Sequence, residues 1–134
     1  MKTVFVDTNI VLDVLLQNED LWQGSRRILK FAETGRIKAY VSASSITDIF
    51  YVATKKLPIS VARSAIENLV KIFEIVSIGK EDLQGALTLP ILDYEDALQA
   101  WCAKKIGADV LITRDTKGFA KINIRAISPE EFEE

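Results

Sequence analysis

The chain has 134 residues, 49% of them hydrophobic, and a formal net charge of -2. That length supports one domain with a real core; the composition excludes a disordered chain and carries no strongly basic signature for nucleic acid. Histidine is absent, which excludes His-based triads and His acid–base chemistry and leaves carboxylates, the ligands of hard cations, for any catalysis.

In chain order, the apolar run Val4-Phe5-Val6 predicts a strand over Thr3–Val6 that stops abruptly at Asp7. Helical spacing follows over Thr8–Leu16 and again over Leu21–Thr34, where Ile28, Leu29 and Ala32 share a face and Gly35 ends the helix. Lys38–Val41 reads as a second strand. Ser42 or Ser44 is placed to cap a helix running to about Lys56, because a Ser hydroxyl accepts from the free N–H groups of a first turn. Pro58 opens a further helix carrying Val61, Ala65, Ile66, Leu69 and Ile72. Phe73–Ser77 is a third strand, and a short helix follows Lys80. Tyr94–Ile106 is a helix with Ala97, Leu98, Trp101 and Ile106 as its buried stripe, stopped by Gly107. Asp109–Thr113 and Ile122–Ile127 are the fourth and fifth strands, and Pro129 opens a short acidic tail, SPEEFEE.

Strands alternating with helices imply right-handed crossovers and a mostly parallel sheet. The runs VFV and VLIT suit strands covered on both faces. The lone Cys102 reads as a small core residue with no intrachain disulfide partner. Asp7 interrupts the first apolar run, so no secretory leader is expected. No apolar stretch reaches the ~20 residues of a membrane span. The expectation is a soluble cytoplasmic protein with no membrane contact.

Ligands of open α/β sheets bind outside the carboxyl ends of the strands. Asp7 follows the first strand and Asp115 follows the fourth. If those strands are neighbours, both acids project into one crevice. Asp48 sits on the helix after Ser42, opposite its apolar stripe of Ile46, Ile49, Phe50 and Ala53, where a solvated carboxylate is the ordinary reading. Asp93, Glu95 and Asp96 stand at a helix start, where capping and the helix dipole alone explain acids. Asp7 is open to the same capping explanation, and Asp115 to a place in a polar turn. Taken jointly, two acids at strand ends and two near helix starts facing the same edge repel one another unless a divalent cation neutralises them.

Four segments in this order, VFVDTN, SSITDIFY, DYEDALQAW and VLITRD, resemble a PIN domain across essentially the whole chain, residues 1–134 as a single domain. They are especially similar to the VapC-type toxins of toxin–antitoxin pairs. The resemblance implies an α/β fold, a PIN-like three-layer α/β/α arrangement around a central, mostly parallel five-stranded sheet. It implies a metal-dependent ribonuclease using Mg2+ or Mn2+, with an RNA substrate, a small antitoxin protein as partner and a homodimer as the assembly. Carried onto this chain, the catalytic and metal-binding acids are Asp7, Asp48, Asp96 and Asp115; Thr8, Asn9 and Thr113 hold the pocket in shape, and Asp93 is an extra neighbour. Arg114 and Lys117, beside Asp115, are either contacts for the RNA backbone or ordinary surface charge.

Two departures from the family pattern stand out. The helical acid is usually Glu and here is the shorter Asp48. The last segment often carries an acid just before Phe, where this chain has Gly118. A PIN-like scaffold that binds RNA or protein without cutting is therefore a competing expectation. A phosphoryl-transfer domain fits less well: haloacid dehalogenases want a second Asp where Asn9 stands, and receivers want an acidic pair that KTVFVDTN lacks.

Overall fold

A computed structural model describes residues 1–134. Its elements follow the chain as β1 (Thr3–Val6), α1 (Thr8–Leu15), α2 (Trp22–Glu33), β2 (Lys38–Ser42), α3 (Ala43–Ala53), α4 (Ile59–Ile72), β3 (Glu74–Val76), α5 (Lys80–Ala86), α6 (Tyr94–Lys105), β4 (Val110–Ile112) and β5 (Ala126–Ile127). Short 3-10 turns lie at Thr116–Phe119 and Pro129–Glu131. Gly35 and Gly107, at the ends of α2 and α6, take φ of 75° and 65°. That left-handed conformation lets the chain leave a helix sharply, and a Cβ would strain it.

The sheet is parallel throughout, in the order β3-β2-β1-β4-β5. Period-two alternation divides its side chains between two cores. Val4 and Val6, Ala39 and Val41, and Val110 and Ile112 face the layer of α1 to α4. Phe5 and Leu111 face α5 and α6, where Cys102 is also fully buried. Both faces of the sheet are thus covered, which gives the three-layer fold expected from the sequence.

Three elements differ from the sequence expectation. The fifth strand is only Ala126–Ile127, because β4, its partner, pairs through Leu111 and Ile112 alone. Ile122 and Ile124 pack against the α6-side core without joining the ladder. On α4 the inward residue is Ala62, fully buried, while Val61 is exposed. The acidic tail is no loose end: Phe132 is wholly buried and tilts against Phe31, with ring centroids 6.1 Å apart. Burying a side chain of that size stabilises the fold by about 1.5–3 kcal/mol. Arg27 ties the segment down by donating to the carbonyls of Pro129 and Phe132. No helix is long and apolar enough to cross a membrane.

Candidate active site

The strand order makes the site. The chain leaves β1 towards β2 on one side, while β4 flanks β1 on the other. The crevice between the carboxyl ends of β1 and β4 is therefore a topological switch point. The register pairs Val6 with Ile112, so the next residues, Asp7 and Thr113, lie side by side. Asp7 N–H donates to the Ile112 carbonyl at 3.0 Å, and Thr113 Oγ1–H donates to Asp7 Oδ2 at 2.8 Å.

Asp7 occupies the N-cap position of α1, yet its side chain makes no capping hydrogen bond. The residue is only 7% exposed, and its second carboxylate oxygen accepts from Gln99 Nε2 at 3.3 Å. The capping explanation for Asp7 therefore fails: the carboxylate turns to the sheet edge and to α6. Gln99 is the hub of that arrangement. Its amide nitrogen also lies 3.2 Å from Thr8 Oγ1 and 3.1 Å from Ser45 Oγ, while its carbonyl accepts from Ser42 Oγ at 2.9 Å. Ser42 in turn caps α3 by accepting from the Ser45 N–H. Thr8 and Ser45 share a further 2.7 Å hydrogen bond. Every buried side-chain polar atom has a partner, so this polar cluster carries no desolvation penalty from orphaned groups.

The remaining acids arrive from three elements. Asp93 caps α6 by accepting from the Asp96 N–H at 3.0 Å, so the capping reading holds for that residue. Asp96, one turn in, is half-buried, and its pKa is pushed up to about 6 by burial and by the charges of Asp93, Asp7 and Asp115. Asp115 accepts from the Gly118 N–H at 3.2 Å, and its own N–H donates to Thr113 Oγ1 at 3.0 Å. Thr113 thus holds both strand-end acids. Gly118 has a steric reason to lack a side chain: a Cβ there would sit 2.7 Å from Asp115 Oδ2 and 3.4 Å from Asp96 Oδ2.

Asp48 is not a freely solvated face residue. It is half-buried and lines a cavity of about 540 Å³ together with Asp7, Asn9, Glu95, Asp96 and Gln99. Glu95 is held above the usual carboxylate range, first by a hydrogen bond with Asp48, then by burial and by the charges of Asp48, Asp93 and Asp96. Asp115 stands beside this cavity rather than in its wall.

Arg114 departs from both readings made of it. Its guanidinium donates to Asp13 Oδ2 at 3.3 Å, to the Leu21 carbonyl at 2.8 Å, to Ser25 Oγ at 3.2 Å and to Glu130. It knits β4, α1, α2 and the C-terminal turn together, so a phosphate would have to displace internal partners to reach it. Lys117 is exposed.

The carboxylates of Asp7, Asp48, Glu95 and Asp96 line the cavity, and burial, then the charges of Asp93, Asp7 and Asp115, raise the Asp96 carboxyl. This chemistry fits a hard divalent cation. Asp7 is held by Thr113 and Gln99, Asp48 pairs with Glu95 and Asp115 with Gly118, and no three acids are drawn into one ligating set.

Sequence reasoning missed Gln99, Ser42 and Ser45 as parts of the site. One signal was available: Gln99 is a polar residue one turn after Asp96, inside the apolar stripe of α6.

Residues 3–117 match the PIN domain family, and the chain belongs to it. Ribonuclease VapC1 of Aquifex aeolicus (strain VF5) is 30% identical over 136 residues, spanning 98% of this chain and 93% of that one. Among solved structures, VapBC2 from Rickettsia felis bound to a DNA fragment from their promoter superposes with a TM-score of 0.73 at 17% identity, over 94% of this chain and 98% of that one. A toxin–antitoxin complex from Klebsiella pneumoniae does so at 0.71 and 23% identity, over 96% and 99%. These two likenesses establish the fold.

Proposed function

We propose that this chain is an endoribonuclease hydrolysing RNA phosphodiester bonds with Mg2+ or Mn2+, the toxin of a VapBC-type pair. The observation that carries the reading is the pairing of two acids in different surroundings at the switch point. Asp7 is locked by hydrogen-bond donors, and Asp96 has a pKa pushed to about 6. The relative named as a ribonuclease supports the same activity.

Asp7, Asp96 and Asp115, with Asp48, would hold the cation. When bound, it lowers the pKa of water and neutralises charge building on phosphorus. Thr113 donates to one oxygen of Asp7 and Gln99 to the other, which orients the carboxylate. Asp96, on the same wall, is the carboxylate that would take a proton from the attacking water. Asn9 lines the cavity and helps to shape it, and the exposed Lys117, near Asp115 in the chain, is the cation left for the RNA backbone. A small antitoxin protein is the partner this reading requires, and the cytoplasm is where both would meet. A homodimer accounts for the exposed Ile59, Val61 and Val70 of α4, which are 64%, 48% and 50% accessible.

The test is cleavage of a labelled RNA panel with manganese, with magnesium and with chelator, alongside melting curves. Cleavage and a metal-induced rise in melting temperature are expected for the wild type, the rise because the ion binds only the folded state. Both should be lost or much reduced in Asp7→Asn. RNA binding without cleavage under every metal condition would replace this reading with the scaffold.

A further inference from the structure

One face of α3 carries Ser44, Asp48 and Tyr51 at helical spacing, with Lys55 just beyond the helix end. Ser44, Asp48 and Tyr51 all line the acidic cavity. The wall therefore runs from carboxylates to an aromatic ring one turn further along. Tyr51 is 63% exposed, and Lys55 Nζ stands 4.3 Å from its ring centroid. From α6, Tyr94 lines the same cavity at 41% exposure; its hydroxyl donates to the Leu83 carbonyl at 2.6 Å, which fixes the ring.

The acids of this cavity repel a nucleic acid backbone, so a polyanionic substrate needs compensating contacts beside it. Exposed rings with an adjacent cation supply them: every base has a π-face to stack, and the ammonium meets a phosphate. We propose that Tyr51, Lys55 and Tyr94 form a subsite for one nucleotide of single-stranded RNA flanking the scissile bond, the rings taking the base and Lys55 the phosphate. This rests on the ribonuclease reading for its substrate class, and it reads no base sequence, because stacking is sequence-tolerant.

The test uses the full chain in chelator, so that nothing is cut, with a fluorescein-labelled single-stranded RNA nonamer of mixed sequence and the same nonamer made abasic. Anisotropy should show the wild type preferring the base-bearing nonamer by about fivefold or more. Tyr51→Leu, an exposed apolar replacement without a π-face, should lose most of that preference, Tyr51→Trp should keep it, and Lys55→Gln should weaken both nonamers alike. With manganese, Tyr51→Leu should raise KM while kcat and the metal-induced melting shift hold. An undiminished preference in Tyr51→Leu overturns the subsite, and so does an unchanged KM; cleavage by the wild type then leaves the ribonuclease reading standing. A Tyr51-dependent preference without any cleavage supports the subsite and overturns the ribonuclease. If Tyr51→Leu changes the sedimentation coefficient or antitoxin capture but not RNA binding, this face serves a protein and the subsite is overturned.

Discussion

Thr113 Oγ1 lies 2.8 Å from Asp7 Oδ2 across 106 residues of sequence, and the same oxygen accepts the N–H of Asp115. One buried hydroxyl thus sets the orientation of both strand-end acids. Thr113→Val keeps the shape and removes the hydroxyl, depriving the buried Asp7 Oδ2 and the part-buried Asp115 N–H of this partner. The expected loss of stability is about 1–3 kcal/mol. RNA cleavage should fall about 10–100-fold, the usual cost of losing a group that orients a metal ligand. Urea unfolding and cleavage rates check the two together; a variant with wild-type activity would mean that Asp7 needs no such alignment.

Asp96 should make the metal-free protein less stable at neutral pH. Its folded-state pKa of about 6 lies above the ordinary 3.8, so between those values the native state binds more protons than the unfolded chain. The stability from this group is present below the unfolded pKa and lost as pH rises through the folded one. Asp96→Asn should therefore melt at or above the wild-type temperature at pH 7.5 without metal, with a smaller difference or none at pH 4.5. Cleavage should be abolished. A clear loss of metal-free stability at pH 7.5 would instead show Asp96 serving the helix.

Asp82 has the opposite sign. Its carboxyl is held below the usual range, chiefly by the Gly79 N–H, then by the indole N–H of Trp101; burial opposes this, and the Lys105 ammonium adds to the lowering. Its contribution is present above the unfolded value of 3.8 and disappears as pH falls through the lowered folded one. Asp82→Asn should melt below the wild type at pH 7, and the gap should close as pH falls below 3.8 and through the lowered folded value. Melting curves across pH 2–7 decide it; a gap that does not change with pH would assign the effect to packing rather than charge.

Asp48 is the first cause of the raised Glu95 carboxyl, so the two are tested together. Asp48→Ala should let the Glu95 carboxyl titrate closer to its ordinary 4.5, read by NMR of the labelled carboxyl. Its effect on cleavage should be smaller than that of Asp7→Ala, about 10–100-fold if Asp48 acts through an outer position. Asp48→Glu should keep activity or raise it, because the longer side chain reaches further into the cavity. Equal rates for the wild type and both variants would leave Asp48 out of the site.

Much of this protein is written locally in its sequence. Apolar periodicity and the breakers Gly35, Pro58 and Gly107 specify strands and helices, because those signals act over a few residues. The position of Asp7 and Asp115 directly after apolar runs marks them as strand-end groups for the same reason. What the acids touch was settled by packing. Gln99 stands 57 residues from Ser42 and 92 from Asp7, and no short-range pattern pairs a buried amide with partners that far away. Arg114 reads as a surface cation beside Asp115 until the fold brings Asp13, Ser25 and Glu130 around it. The tail stands out in the sequence only for its charges, yet one residue, Phe132, has enough apolar area to dock it. Periodicity is a property of neighbours in the chain; hydrogen-bond geometry and shared charge depend on distances that exist only once β1 lies between β2 and β4.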